Sequence, residues 1–324
     1  MKVTLHEVAA RADVSIATAS RALNGLPVSA DSLARVQSAA QALGYVANEA
    51  ARALRAERTM TMGLIFSDLR NTLGIDLLDA LSEAIEAAGY SLLISTARGD
   101  VARYDVLMRR FLERRVDALF CIRPAGASES LARYAAADIP VMSLFSSAGA
   151  FAGLPLITPS LTEPSNAVGA HLRDLGHRRV AVVRGPGFPQ APVEAGLKHA
   201  GLAVVEIMPS EADGMAAALA ELMALPERPT AVVAADPQSR GLLVACELAQ
   251  VAVPGELSLV SVNETASDAH HRRHGLSAMT VDPARMGKAA AAAMVAWLAG
   301  APPADRIKVQ AASFIARGST GPAP

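Results

Sequence analysis

From Met60 onward the chain repeats one pattern, a short run of apolar β-type residues followed by a stretch of helical period. The apolar runs are MGLIF (62–66), YSLLIST (90–96), VDALFCI (116–122) and PVMSLF (140–145), then RVAVVRG (179–185), AVVEIM (203–208), TAVVAAD (230–236) and LSLVSVN (257–263). Helical period fills 76–88, 103–114, 162–175, 212–224 and 237–249 between them. Strands alternating with helices predict parallel sheets covered by helices, an α/β architecture. The two sets of four share a layout, so they read as two doubly wound subdomains.

Composition narrows the class further. At roughly 150 residues per domain, 324 residues exceed one ordinary domain. A net charge of −1 means that any nucleic-acid contact must be local. With 52% hydrophobic and 19% charged residues, disorder over most of the length is excluded. Mean hydropathy is +0.28. Even so, the longest apolar run, Ala289 to Ala299, falls far short of the roughly 20 residues of a spanning helix. The opening MKVTLHEVAARADVS is amphipathic and carries acids, unlike a signal peptide. Cys121 and Cys246 lie in separate apolar segments with neither metal nor disulfide spacing. A cytoplasmic protein is expected.

The first 58 residues differ: seven basic side chains stand against five acidic ones, the sign expected of a segment that meets phosphate. Thr4 with Glu7 three residues later forms a capping-box pattern. Asp13-Val14-Ser15 then breaks the first helix, at a place where Asp tolerates positive φ. Ser15 caps a second helix, stopped by Asn24-Gly25. A third runs from Ser29 or Asp31 to Gly44. Two short helices joined by a tight turn, with a third behind, match a helix-turn-helix. Its second helix must be slim, with small and polar groups near its start that reach base edges in the major groove. Ile16, Ala17, Thr18, Ser20 and Arg21 supply that face, Arg21 being suited to a bidentate guanine contact. On spacing alone, a three-helix bundle with a solvated face, or a helical cap on an enzyme, fits as well.

VTLHEVAARADVSIATASRALNG, followed by VSADSLARVQSAAQALGYVANEAARALRAERT, resembles the N-terminal domain of the lactose repressor (LacI) family of bacterial transcription regulators. The likeness runs without a gap over some sixty positions, through VS-x-x-T-x-SRALNG and LGY-x-x-N. Ala19 and Asp13 are mild departures from the family's usual Val and Gly. HLRDLGHRRVAVV, VPGELSLVSVNE and RGST extend the resemblance over nearly the whole length. It implies a head at 1–46, a hinge helix and linker at 47–59, and a two-lobed, periplasmic-binding-protein-like core at 60–324. The lobes are expected at about 60–158 with 284–305, and 159–283 with 306–324, the chain crossing back late.

The resemblance also implies partners: a pseudo-palindromic double-stranded operator, a second copy of the chain, and a sugar-like small molecule in the interlobe cleft that modulates a repressor. Thr4, Ser15, Ile16, Ala17, Thr18, Ser20, Arg21 and Asn24 are the DNA-facing candidates in the head. In the hinge segment NEAARALRAER (48–58), Leu54 takes the place of the leucine wedged into the central minor groove, with Arg52 and Arg55 near phosphate. Ligands of open α/β sheets bind at the carboxyl ends of strands. That rule together with the resemblance nominates Ser67, Phe145, Ser146, Asp236 and Asn263 for the effector. The chain departs from the family at Ala234-Ala235-Asp236, where Ala-Asn-Asp is common, at Asn263 in place of aspartate, at Thr158-Pro159, and in GPGFPQAPVEAG (185–196), which lacks the usual arginine, so a regulator whose cleft has changed specificity or is no longer controlled by a sugar is the alternative.

Enzymatic readings find little to build on. Gly185-Pro186-Gly187 starts a dinucleotide-loop pattern that Gln190 and Pro189 interrupt, and neither a G-x-S-x-G elbow nor a P-loop lysine signature is present. His270-His271-Arg272-Arg273-His274 offers imidazoles at i, i+4 beside arginines that repel a cation, and reads as a polar surface loop. Neither cofactor nor metal is expected, and no enzyme. RGSTGPAP carries no leucine heptads, which argues against a coiled-coil tetramer.

Overall fold

The structure is a computed structural model that describes residues 3–45, 58–66, 72–122, 129–145, 154–185, 189–208, 214–265, 268–304, 306–309 and 312–324. It divides into two compact units, Met1–Thr59 and Met60–Pro324.

In the first unit, side-chain caps set where the helices begin. α1 (Leu5–Arg11) starts at Thr4, whose hydroxyl accepts from the Glu7 N–H at 3.3 Å while the Glu7 carboxylate accepts from the Thr4 N–H at 2.7 Å. This reciprocal pair satisfies two donors that no helical carbonyl reaches. Asp13 reverses the chain with φ of 51°, as its residue type permits. Ser15 caps α2 (Ile16–Leu23) by accepting from the Thr18 N–H, and Ser29 caps α3 (Ala30–Leu43) through the Ser32 N–H. α3 stops at Gly44, where a left-handed φ of 63° lets its N–H reach back to the last carbonyls. The helices bury Val8, Ala9, Ala12, Ala19, Ala22, Val36 and Ala39 against one another. The many alanines in this core let the helix axes approach closely.

The second unit holds two six-stranded sheets. The first consists of β1 (Thr61–Phe66), β2 (Ser91–Thr96), β3 (Ala118–Ile122), β4 (Val141–Leu144), β5 (Leu156–Pro159) and β11 (Arg306–Val309), ordered β11-β5-β4-β3-β1-β2 with every pairing parallel. α4 (Thr72–Ala87), α5 (Val101–Glu113) and α6 (Ser130–Ala136) connect its strands. The second sheet consists of β6 (Arg179–Val183), β7 (Ala203–Ile207), β8 (Ala231–Ala235), β9 (Ser258–Glu264), β10 (Ser277–Val281) and β12 (Ala312–Ile315). Its order is β12-β10-β9-β8-β6-β7, and only β12 runs antiparallel. Its helices are α7 (Thr162–Asp174), α8 (Gln190–His199), α9 (Gly214–Ala224), α10 (Gln238–Ala249) and the short α11 (Ala269–Arg273). α12 (Pro283–Leu298) returns to the first lobe and packs on α4. There a Cβ at Gly287 would stand 2.8 Å from the Leu81 nitrogen, so only glycine fits.

The eight expected strands all form. The return crossing comes later than expected. β11 pairs in parallel with β5, so residues 306–309 belong to the first lobe rather than the second, and β12 is the first strand back in the second sheet. The segment 269–273 is a helix rather than a loop, with the rings of His270 and His274 one turn apart and 4.4 Å between centroids. Among the described residues no helix is long and apolar enough to cross a membrane, and no group of three His, Cys, Asp or Glu is placed to hold a metal.

Candidate nucleic-acid interface and ligand cleft

α2 divides cleanly into two faces. Ala19 and Ala22 point into the head's core, while Ile16, Ala17, Arg21 and Asn24 are exposed and Thr18 and Ser20 half-buried. All the head residues expected to face DNA, apart from Thr4, therefore share one stretch from the cap of α2 to its end. Thr4 is exposed at the start of α1, where hydrogen bonds from its backbone and hydroxyl hold the Glu7 carboxyl below the usual carboxylate range. An ionised Glu7 in the first turn also suits the helix dipole.

Several polar groups on and beside this face make local hydrogen bonds. Ser15 Oγ accepts from the Thr18 N–H at 3.0 Å and shares a hydrogen bond with Thr18 Oγ1 at 2.9 Å. Asn24 Nδ2 donates to the Ser20 carbonyl at 2.7 Å. Arg35 is held by Asp31, its Nε 3.2 Å from the carboxylate, and donates to the Asp13 carbonyl at 3.4 Å. Arg21 differs from these: its exposed guanidinium has no hydrogen-bond or ion-pair partner among the described residues. Arg52, Leu54 and Arg55 lie outside the described residues.

In the core, Ser67 and Ser146 also lie outside the described residues. Phe145 follows β4 in a left-handed conformation, φ 54°, which is rare for a bulky side chain. It is half-buried against the first lobe's core, and its N–H donates to the Ile157 carbonyl at 3.1 Å. Asp236 and Asn263 come together at the carboxyl ends of adjacent strands, since Ala235 is in register with Val262. Met279 of β10 pairs with Val262 and Thr280 with Glu264, so Asn263 is the extra residue of a bulge, at φ 69°. Bulges of this kind re-aim a side chain, and Asn is among the residues that accept the left-handed geometry. The Asp236 carboxylate is occupied by Arg240, whose Nε and Nη2 each donate to one of its oxygens. It therefore offers a ligand only the lone pairs that this fork leaves.

The sequence reading missed two features. The first is Arg184, immediately past β6 and quoted only as part of a strand run. It bonds Glu206 Oε2 at 2.8 Å and also the Gln190 side-chain oxygen. A guanidinium is thus present near the start of α8, supplied by the strand end and neutralised by an acid of β7. The second is a shallow depression of about 380 Å³ lined by Met215, Ala216, Arg240, Gly241, Val244, Ala245 and Leu248 of α9 and α10. Val244 is 47% and Leu248 81% exposed there, and helical periodicity alone cannot tell such a face from a buried one.

Comparison with known proteins agrees with this layout. Residues 4–48 match the family of bacterial regulatory proteins, lacI family, and residues 170–320 match the periplasmic binding protein-like domain. The chain is 29% identical over 330 residues to the HTH-type transcriptional regulator GntR of Pseudomonas aeruginosa, covering 98% of this chain and 95% of that protein. It is 26% identical over 279 residues to catabolite control protein A of Priestia megaterium, covering 82% and 83%. A crystal structure of the lac repressor dimer bound to operator and the anti-inducer ONPF superposes with a TM-score of 0.84 at 23% identity, over 99% of this chain and 100% of that one. At that identity the superposition speaks for the fold.

Proposed function

On the premise that this chain joins a LacI-family helix-turn-helix head to a periplasmic-binding-protein-like core, we propose that it is a cytoplasmic, homodimeric transcriptional repressor without catalytic activity. Each head places α2 in the major groove of one half of a pseudo-palindromic operator. The observation that carries this reading is the Arg21 guanidinium on the exposed face of α2, which has no partner among the described residues. A buried face of alanines lets that helix sit tightly on α1 and α3 while the opposite face stays free for DNA. Selection of bound duplexes from a random library tests it. A palindrome is expected, and failure to prefer any duplex over competitor DNA at moderate salt would remove the reading.

From the sequence resemblance, Leu54 wedges between base steps at the centre of the operator, with Arg52 and Arg55 on phosphate. Bending assays that find equal operator curvature for the wild-type chain and Leu54→Ala would refute that role.

The depression between α9 and α10 is the surface we assign to the second copy, since Val244 and Leu248 leave apolar area in water. The cleft effector is sugar-like and is bound by Ser67, Phe145, Ser146 and Asn263, with Asp236 contributing what Arg240 leaves free. Strain held at Phe145 and a bulge at Asn263 are features that concentrate at ligand sites. An effector that prefers one lobe arrangement shifts operator affinity by its differential affinity for the two states. A panel of sugars and sugar acids should raise the melting temperature for at least one member. A flat response across the panel overturns the sugar reading and leaves DNA binding untouched.

A further inference from the structure

The stretch RRFLERRVD (109–117) carries four arginines against two acids, in a chain whose net charge is −1. It forms the last turn of α5 and the reversal that follows, and Arg109, Arg110, Arg114 and Arg115 are all exposed. Arg109 pairs with Asp105, its Nε 3.5 Å from the carboxylate. The guanidinium groups of Arg110 and Arg114 have no hydrogen-bond or ion-pair partner among the described residues. Like charges four residues apart on one helix repel, so nothing within α5 favours this pair. Arg115 takes φ of 54°, at a position where glycine ordinarily ends a helix. A cation in the last turn suits the negative end of the helix dipole, and Arg110 alone supplies that.

The same end of the first lobe receives the chain from the head. Met60, the first residue of the second unit, donates its N–H to Asp117 Oδ2 at 2.8 Å. The Asp117 N–H donates in turn to the Thr61 carbonyl, also at 2.8 Å. The linker is thus anchored two residues from Arg115. Connectivity alone ties a duplex gripped by the head to this arginine-rich end. A guanidinium fork matches phosphate oxygens in geometry as well as charge.

We propose that the C-terminal end of α5 is a second DNA-contacting surface, belonging to the core, on which Arg110 and Arg114 hold phosphates of the same duplex that the head grips. The proposal rests on the DNA-binding reading above and adds a surface outside the head and the hinge. Phosphate contacts carry no sequence information. They raise affinity and make it fall more steeply with salt. An acidic protein would match the same charges, but the covalent link at Met60 favours DNA as the occupant.

The test compares the full-length chain with the double variant Arg110→Gln, Arg114→Gln on the selected operator, carried in a duplex with a helical turn of DNA on either side. Affinities are measured by fluorescence anisotropy over a series of salt concentrations. The slope of log affinity against log salt should become shallower by roughly 2–4, at about 0.9 per phosphate and two arginines from each of two copies. The affinity lost by the variant should therefore be roughly 16-fold or more greater at 50 mM than at 200 mM salt. The ratio of affinities for the operator and a singly substituted operator should stay within about two-fold of the wild-type ratio. Removing as much charge elsewhere on the core, with Lys198→Gln and Lys288→Gln on exposed faces of α8 and α12, should leave the slope nearly as it was. Both double variants should melt with the wild-type chain. An unchanged slope overturns the proposal while operator binding stands, and a lowered melting temperature with that unchanged slope assigns the arginines to the helix end instead. An equal flattening by the lysine variant, or a changed sequence preference, overturns it too. If no duplex is selected at all, the DNA-binding reading fails and this one with it.

Discussion

Arg240 closes a two-pronged fork on Asp236: from the first turn of α10, Nε and Nη2 of the guanidinium each meet one oxygen of the carboxylate that precedes the helix. The acid's side chain is 3% exposed and the base's 32%. Hydrogen bonding to Asp236 is the main reason that the Arg240 pKa is raised, with the nearby charge of Asp268 adding to it.

Removing one half of this fork should cost more than removing both. Arg240→Ala leaves a carboxylate in a protein interior, which typically destabilises by about 3–5 kcal/mol, and by less, roughly 2–3, where one partner is partly solvated as here. Asp236→Asn with Arg240→Met should recover most of that loss. Urea denaturation of the two single variants and the double variant measures the coupling. Additive losses would show that the fork contributes little.

Arg21→Ala should weaken operator binding by roughly 1–3 kcal/mol and relax preference at one base pair per half-site. Because the guanidinium holds nothing within the head among the described residues, the melting temperature should stay unchanged. Footprints and affinities equal to those of the wild-type chain would remove Arg21 from base recognition.

α7 and α8 meet at Gly169 and Gly196. A Cβ at Gly196 would lie 2.4 Å from both the carbon and the oxygen of the Ser165 carbonyl, and backbone cannot move aside cheaply. Gly196→Ala should therefore destabilise the second lobe by about 1–3 kcal/mol, the usual cost of overpacking. The reading predicts a lower denaturant midpoint. A variant as stable as the wild-type chain would mean that the helices separate without cost.

His177 is fully buried ahead of β6, with Nδ1 2.7 Å from Thr230 Oγ1 and Nε2 3.2 Å from the Gly321 carbonyl. A neutral ring suits both, donating at Nε2 and accepting at Nδ1. Burial is the main cause holding its pKa below the ordinary histidine value, against a smaller opposite effect of the Gly321 carbonyl, and burial lowers His171 as well. A histidine whose pKa is lower when folded takes up protons on unfolding, so stability rises with pH through the region below about 6.5 and is lost on acidification. The denaturation midpoint should fall between pH 7.5 and 5.5, and fall less for His177→Gln. Equal slopes would show that His177 does not titrate with unfolding.

The sequence by itself determined the elements. The caps at Thr4, Ser15 and Ser29 act within three residues, and the left-handed turn at Asp13 and stop at Gly44 depend on residue type alone. The eight apolar runs form strands because short β-type segments bounded by turns declare themselves locally, whether buried through, as β3 and β8, or at a sheet edge, as β2 and β7. Pairing, burial and side-chain engagement were decided by tertiary structure. β11 joins the first lobe because β5 offers it a parallel edge, which no local pattern in RIKV encodes. Asn263 becomes a bulge only because β10 skips it. At the head, helical spacing and residue type nominated Ile16, Ala17, Thr18, Ser20 and Arg21 on one face of α2. The bonds of Ser15, Thr18 and Ser20 are local to the helix and its cap, whereas only the folded arrangement shows that Arg21 keeps its guanidinium without a partner among the described residues, because that depends on all neighbours in three dimensions.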